Sequence, residues 1–334
     1  MPETDSKSPN KKMIRGSALH LAALIVALAV VVGGIEFARR PRAPSQMKAL
    51  PSGSPRPFPR ELRDAEGASL IISNEPQRIV SETLGTDEIL LTICPPERIV
   101  ALSNLAGDSN YSNVVEQARR IPGRVTQNAE EILRFKPDLV FVASYSRAEM
   151  VELLRAAKTP VFRFANFDSI ADIKSNIRMV GYAIGSDSEA ERVIREMDAK
   201  LDAIRARIPR NREPVRVMSY DRLGYTAGAH TIFDDLLRTV GAVNISAEHG
   251  INRFAKISSE KIAEWQPDFI VVGAEHNEFE LMRSQLLKDP IVATSKAGRA
   301  GHIVVIDYRH FLTVSHHVVQ GVEDLANGFY GNQN

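Results

Sequence analysis

Cysteine is almost absent from this chain. Cys94 stands alone in an apolar run, so no disulfide can form within the chain, and a buried inert thiol is expected. Tryptophan is equally scarce, with Trp265 alone. No excess of either charge exists: 42 Lys and Arg face 41 Asp and Glu, which gives no sign of a nucleic-acid partner. The common catalytic signatures are missing as well. There is no G-x-S-x-G elbow, no phosphate loop, no G-x-G-x-x-G and no H-E-x-x-H. His316 and His317 are adjacent, so on a helix they would point about 100° apart and could not share a metal without distortion. They are expected to be solvated or internally satisfied. His230, His249, His276, His302 and His310 are scattered. Spacing therefore calls for no metal site and no cofactor, and the chain reads as a non-enzyme.

What is present begins with an unusual N-terminus. Residues 1–16 are polar, and Ala18 to Ile35 are apolar except for His20. About 18 apolar residues is near the lower limit for crossing a bilayer. No A-x-A cleavage site follows the run, and no cysteine follows to carry a lipid. Residues 17–38 are therefore expected to be a single-pass signal anchor holding the globular part outside the cytoplasm. Pro41, Pro44, Pro51, Pro55, Pro57 and Pro59 make 39–62 a semi-extended tether.

Beyond the tether, strand and helix patterns alternate. This predicts an α/β fold of two lobes, each with a mostly parallel sheet covered by helices: an N-terminal lobe over 63–167 and a C-terminal lobe over 210–330. Between them, 168–209 reads as inter-lobe helices. The second opens with Ser186 and Glu189 as a capping box and carries Ala190, Val193, Ile194, Met197, Leu201, Ile204 and Ile208 on one face. From Ser186 to Ile208 it would span about 34 Å at ~1.5 Å per residue. A phrase repeats on either side of this rod: AEEILRFKPDLVFVAS from Ala129 and SEKIAEWQPDFIVVGA from Ser259. Glu130 and Glu260 each follow a cap, Asn128 or Ser258, and each precedes Pro-Asp by the same interval. The helix macrodipole favours an acid at either position alone. The identical placement in both lobes points instead to a twofold-symmetric partner with one basic pocket per subunit.

The segment DAEGASLIISNEPQRIVS, the two repeated phrases and GYTAGAHTIFDDLLRTVGAVNI (Gly224 to Ile245) resemble, in order and spacing, the periplasmic cobalamin- and ferric-siderophore-binding proteins of ABC importers. The similarity covers about Asp64 to Phe329. It implies a clamp with one long backbone helix, a ferric siderophore or cobalamin-like chelate captured between the lobes, and delivery to a dimeric permease. It also implies that Glu130 and Glu260 dock onto permease arginines. Ligands of open α/β sheets bind beyond the strands' carboxyl ends. The loops placed there hold Asn104, Tyr111, Tyr145 and Phe167 in the first lobe, and Tyr225, His276, Tyr308 and Arg309 in the second. Aromatics suit stacking on flat ligands, and Arg309 suits pairing with an anionic chelate. Two other readings stay open: a divalent-metal- or haem-binding protein of the same architecture, and an enzyme acting on a bound chelate.

Overall fold

The computed structural model describes residues 57–331, apart from 65 and 210. The expected anchor at 17–38, the polar segment before it and most of the tether lie outside those residues. The described chain opens with an antiparallel hairpin, β1 (Arg60–Arg63) and β2 (Ser69–Ile72). Asp64 ties its turn by accepting the Glu66 and Ala68 amides, both at 2.9 Å. Arg60 was expected in the tether, yet it is buried. Its Nη1 donates at 2.7 Å both to the Tyr182 carbonyl and to the Asp187 carboxylate. The globular part thus starts before residue 63, because a buried guanidinium has to find such partners.

The N-terminal lobe alternates β3 (Ile79–Ser81), α1 (Leu84–Ile93), β4 (Ile99–Ser103), α2 (Val115–Ala118), β5 (Arg124–Val125), α3 (Ala129–Arg134), β6 (Leu139–Ala143), α4 (Ala148–Ala156) and β7 (Val161–Phe164). All five strands from β3 to β7 are parallel, in the order β5-β4-β3-β6-β7. Every residue of β6 is buried, as a strand covered on both faces requires. Thr83 caps α1. Thr83 is the last extended residue after β3, and Thr86 already lies in the first turn, its hydroxyl donating to the Thr83 carbonyl at 3.0 Å.

The connection between lobes is a helical hairpin rather than a lone rod: α5 (Ile170–Ile184) and α6 (Asp187–Arg207). Gly185 caps α5 in the left-handed region at φ 83°. The helices touch closely at Gly181, where a Cβ would stand 2.5 Å from that of Ala190. Ser186 does not form the expected capping box. It is also the residue closing α5, its amide donating to the Gly181 carbonyl at 2.8 Å, and its side chain caps nothing. The apolar face of α6 is buried as its spacing requires, with Ile208 only partly covered at the C-cap.

The C-terminal lobe contains β8 (Arg216–Ser219), β9 (Tyr225–Ala227), α7 (Ile232–Thr239), β10 (Val243–Asn244), α8 (Ile245–Glu248), β11 (Phe254–Lys256), α9 (Glu260–Trp265), β12 (Phe269–Ala274), α10 (Phe279–Lys288), α11 (Lys296–Ala300), β13 (Ile303–Asp307), α12 (Tyr308–Phe311) and α13 (Val318–Tyr330). Its sheet is parallel, in the order β10-β8-β12-β13, while β9 and β11 form a separate antiparallel pair. One apolar cluster runs from Phe141, Phe162 and Phe164 through α5 and α6 to Phe233, Phe269 and Phe329, so the lobes share a core through the brace. The outer face of each sheet has its own cluster.

Candidate ligand-binding cleft

Helices of a strand–helix–strand unit run back along the sheet, so the N-termini of α3 and α9 lie at its carboxyl edge. At that edge the two lobes meet. Tyr111 of the first lobe stacks on Tyr308 of the second, with centroids 5.8 Å apart and planes 22° from parallel. Burial pushes the Tyr111 phenol up to about 12, with Tyr308, Glu275, Asp108 and Glu278 adding to the effect. Burial also raises Tyr308, although Arg222 opposes it. Both rings therefore stay protonated near neutrality. Beside this pair, Asn113 Nδ2 donates to the Arg309 carbonyl at 2.8 Å. At another crossing, Arg253 holds the Asp168 carboxylate through contacts of 2.9 and 3.3 Å. The Ile170 amide there donates to Asp235 Oδ2 at 2.8 Å.

The other expected ligand residues distribute unevenly. Tyr145 and Phe167 meet at 5.9 Å and 48° on the first lobe. Burial raises the Tyr145 phenol, Glu82 raises it further, and a hydrogen bond with Thr83 opposes both. Asn104 is exposed at the start of a short 3-10 turn after β4. Tyr225 opens β9, where its amide is held by Asp221 Oδ1 at 2.8 Å. His276 reaches Asp307 at 3.8 Å and packs on Phe279. Arg309 differs from its expected part. Asp307 takes its guanidinium in a fork, Nε to Oδ1 at 3.0 Å and Nη2 to Oδ2 at 2.6 Å, and also accepts its amide. A ligand anion would have to displace that carboxylate. Trp265 is buried in α9 and stacks on His249 at 4.5 Å, away from these loops.

Three acids, one in the β3–α1 turn and two in the first half of α1, escaped the sequence reading. Glu82, Asp87 and Glu88 are all buried. Burial pushes Glu82 up to about 8, against the pull of the Ser146 hydroxyl 2.5 Å away. Burial likewise raises Asp87 to about 7, although Ser103 and Ser81 bond to it. The visible signal was Glu82 directly after a strand and the Asp87–Glu88 pair between apolar positions of the following helix. His316 and His317 also differ from the expectation of a solvated or satisfied pair. Their rings lie 4.1 Å apart, with His316 Nδ1 and His317 Nε2 buried and unbonded. Burial lowers His316 to about 3 and lowers His317 as well. Among the described residues, no three His, Cys, Asp or Glu side chains gather as a metal site.

The repeated phrase has a shared structural purpose. The Asp138 carboxylate accepts the Gln77 and Arg78 amides at 2.7 and 2.9 Å, locking the start of β3 beside β6. Asp268 accepts the Arg216 amide at 2.8 Å and does the same for β8 beside β12. Glu130 and Glu260 are exposed, near the N-termini of α3 and α9. Asn128 caps α3 as expected, its Oδ1 accepting the Glu130 and Glu131 amides. The α9 cap position falls on Ser259, without a side-chain bond, while the Ser258 side chain bonds to Glu260 itself and lowers its pKa.

Paired α/β lobes, a helical brace and facing carboxyl edges define a two-lobed solute-binding protein, whose working surface is the gap between lobes. The sequence profile of the Periplasmic binding protein family matches residues 79–309, and the chain belongs to that family. It is 25% identical over 64% of its length to an uncharacterized ABC transporter substrate-binding lipoprotein, YvrC, of Bacillus subtilis, covering 69% of that protein. It is 24% identical over 71% of its length to the ferric-anguibactin-binding protein FatB of Vibrio anguillarum, covering 76% of it. Among solved structures it is similar to the periplasmic heme-binding protein RhuT from Roseiflexus sp. RS-1 in apo form. That likeness has 28% identity and a TM-score of 0.65, over 76% of this chain and 98% of the other.

Proposed function

We propose that this chain is the solute-binding component of an ABC importer for an iron chelate, holding a ferric siderophore between its lobes and handing it to a dimeric permease. The observation that carries this reading is the Tyr111–Tyr308 stack joining the two carboxyl edges within a chain of this family. In this reading a ligand in the gap packs on the outer faces and edges of this stacked pair, with Tyr145, Phe167, Tyr225, His276 and Asn104 as the further candidate contacts. Such faces suit the rings or flat donor groups of a chelate. The ferric-anguibactin-binding relative supports a siderophore; the heme-binding neighbour supports haem as the second reading. Cobalamin is the third ligand to test. In this reading no reaction occurs.

Glu130 and Glu260 serve as the docking contacts, one per lobe, for basic pockets on the permease. The apolar run from Ala18 to Ile35 anchors the chain, and the proline tether carries the clamp away from the bilayer. Among the described residues no helix is long and apolar enough to cross a membrane. Uptake of radiolabelled iron chelates by source cells lacking this chain, and by cells with it restored, tests the proposal. Loss and recovery of uptake of one chelate is expected; equal uptake of every chelate in both strains would contradict it.

A further inference from the structure

Helix α1 turns one face toward the other lobe, made by Gly85, Glu88 and Thr92 at three- and four-residue spacing. The segment from Thr313 to His316 lies against it. Val314 occupies the space over Gly85, where a Cβ would stand 2.7 Å from its Cγ2. Thr92 Oγ1 is 3.4 Å from His316 Nε2. Between them, the fully buried Glu88 carboxyl accepts four hydrogen bonds from two lobes. Oε1 takes the Asn113 amide at 3.0 Å and Asn113 Nδ2 at 2.9 Å. Oε2 takes the Thr313 hydroxyl at 2.8 Å and the Ser315 hydroxyl at 2.5 Å. Asn113 Nδ2 also reaches the Arg309 carbonyl, so one amide bridges Glu88 and the residue next to Tyr308.

We propose that Glu88 is a positioning residue that pins the Tyr111 loop of one lobe to the Tyr308 segment of the other and thereby fixes the separation of the cleft. The brace alone joins the lobes at one side, through α5 and α6. The Glu88 joint supplies a second attachment, distant in sequence and built from polar groups. Two attachments resist the rotation that one would allow. Asn113 is two residues from Tyr111, and Arg309 is adjacent to Tyr308, so the joint sets the stacking register of that pair directly. Gly85 belongs to the same device, because any side chain there would push Val314 away.

The test measures lobe separation without a ligand and so stands apart from the transport reading. Spin labels go on Arg134→Cys and Glu264→Cys, exposed and equivalent positions on α3 and α9, in the full chain, with the native Cys94 buried. Pulsed electron resonance then reads their distance distribution. Glu88→Ala is expected to broaden the distribution about twofold, or to add a longer distance, while circular dichroism shows an intact fold. Glu88→Gln keeps the shape, and the Thr313 and Ser315 hydroxyls can turn to accept from its amide, so its distribution is expected to stay narrow. An alanine variant as narrow as the parent, or a glutamine variant as broad as alanine, would overturn the proposal. If Glu88→Ala does not fold, Asn113→Ala decides. It cuts the bridge to Arg309 and leaves α1 intact; broadening supports the proposal and an unchanged width overturns it.

Discussion

The repeated phrases of the two lobes agree in some details and part in others. Both end their helix with a non-glycine residue in the left-handed region before Pro-Asp, Lys136 at φ 46° and Gln266 at φ 50°. Both spend the following aspartate on the start of the neighbouring strand. The helix starts differ. In α3, Asn128 caps, and Glu131 folds back to the Thr126 amide and hydroxyl at 3.0 and 2.7 Å. In α9 no side chain caps, and Lys261 stands where Glu131 did, paired with Glu264 at 2.7 Å. Local structure therefore explains the shared Pro-Asp and the private Glu131. Glu130 and Glu260 are shared and exposed as well, Glu260 bonding locally to the Ser258 side chain, and docking is the role we propose for the pair.

The largest expected effect breaks the comparison at those glutamates. Reversing both, Glu130→Arg with Glu260→Arg, should reduce chelate uptake to background and leave affinity for the chelate within about twofold, since losing one partner of a close charge pair costs roughly 2–5 kcal/mol. Equal losses from the two single reversals would support one contact per lobe, and lost affinity would argue for a structural role. Next come the aspartates. Asp138→Ala removes two charge-assisted bonds to amides and Asp268→Ala removes one together with the partly exposed Lys296 ion pair, so each should destabilise by about 1–2 kcal/mol in urea unfolding. Unchanged stability in either variant would contradict the strand-lock role.

A third test has no counterpart across the repeat, because Tyr220 follows β8 where Glu82 follows β3. Glu82 and Asp87 keep their protons to about 8 and about 7, above their ordinary 4.5 and 3.8. The folded state then binds more protons than the unfolded chain, so stability falls as pH rises through that window, by up to about 1.4 kcal/mol per pH unit for each group. His316, lowered from 6.5 to about 3, acts in the opposite sense, and only below pH 6.5. Thermal midpoints from pH 6.5 to 8.5 should therefore fall, and Glu82→Gln should flatten the decline above pH 7. The smallest effect concerns caps: Asn128→Ala should cost about 1 kcal/mol and Ser259→Ala less than about 0.5 kcal/mol, read from denaturant midpoints.

Much of the architecture was legible because it is written locally. The apolar face of α6, the buried run Leu139–Ala143 and the Pro-Asp phrases all show their period or punctuation within a few residues. The helix starts read less well, since the α9 cap position fell on Ser259, one residue past the expected Ser258, and Ser186 formed no capping box. The cleft was legible as a set of loops. Which of its residues touch was not. Tyr111 and Tyr308 meet only through the fold, and Arg309 was given to a ligand from its place in the loop after a strand, which does not show that Asp307 takes its guanidinium. Glu88 was the least visible, since its partners Thr313 and Ser315 lie 225 and 227 residues away and the period of α1 marks it only as one more helical position.

The central claim, capture of an iron chelate between the two tyrosine-bearing edges, is tested most directly by equilibrium titration. The full-length protein in detergent is titrated with a ferric tris-hydroxamate, a ferric tris-catecholate, haem and cobalamin, alongside the Tyr111→Ala, Tyr308→Ala double variant. The account predicts saturable one-to-one binding of an iron chelate that the double variant weakens at least about tenfold, the loss of roughly 1.4 kcal/mol of contact. Binding of none of the four, or equal affinity with both rings removed, would contradict it.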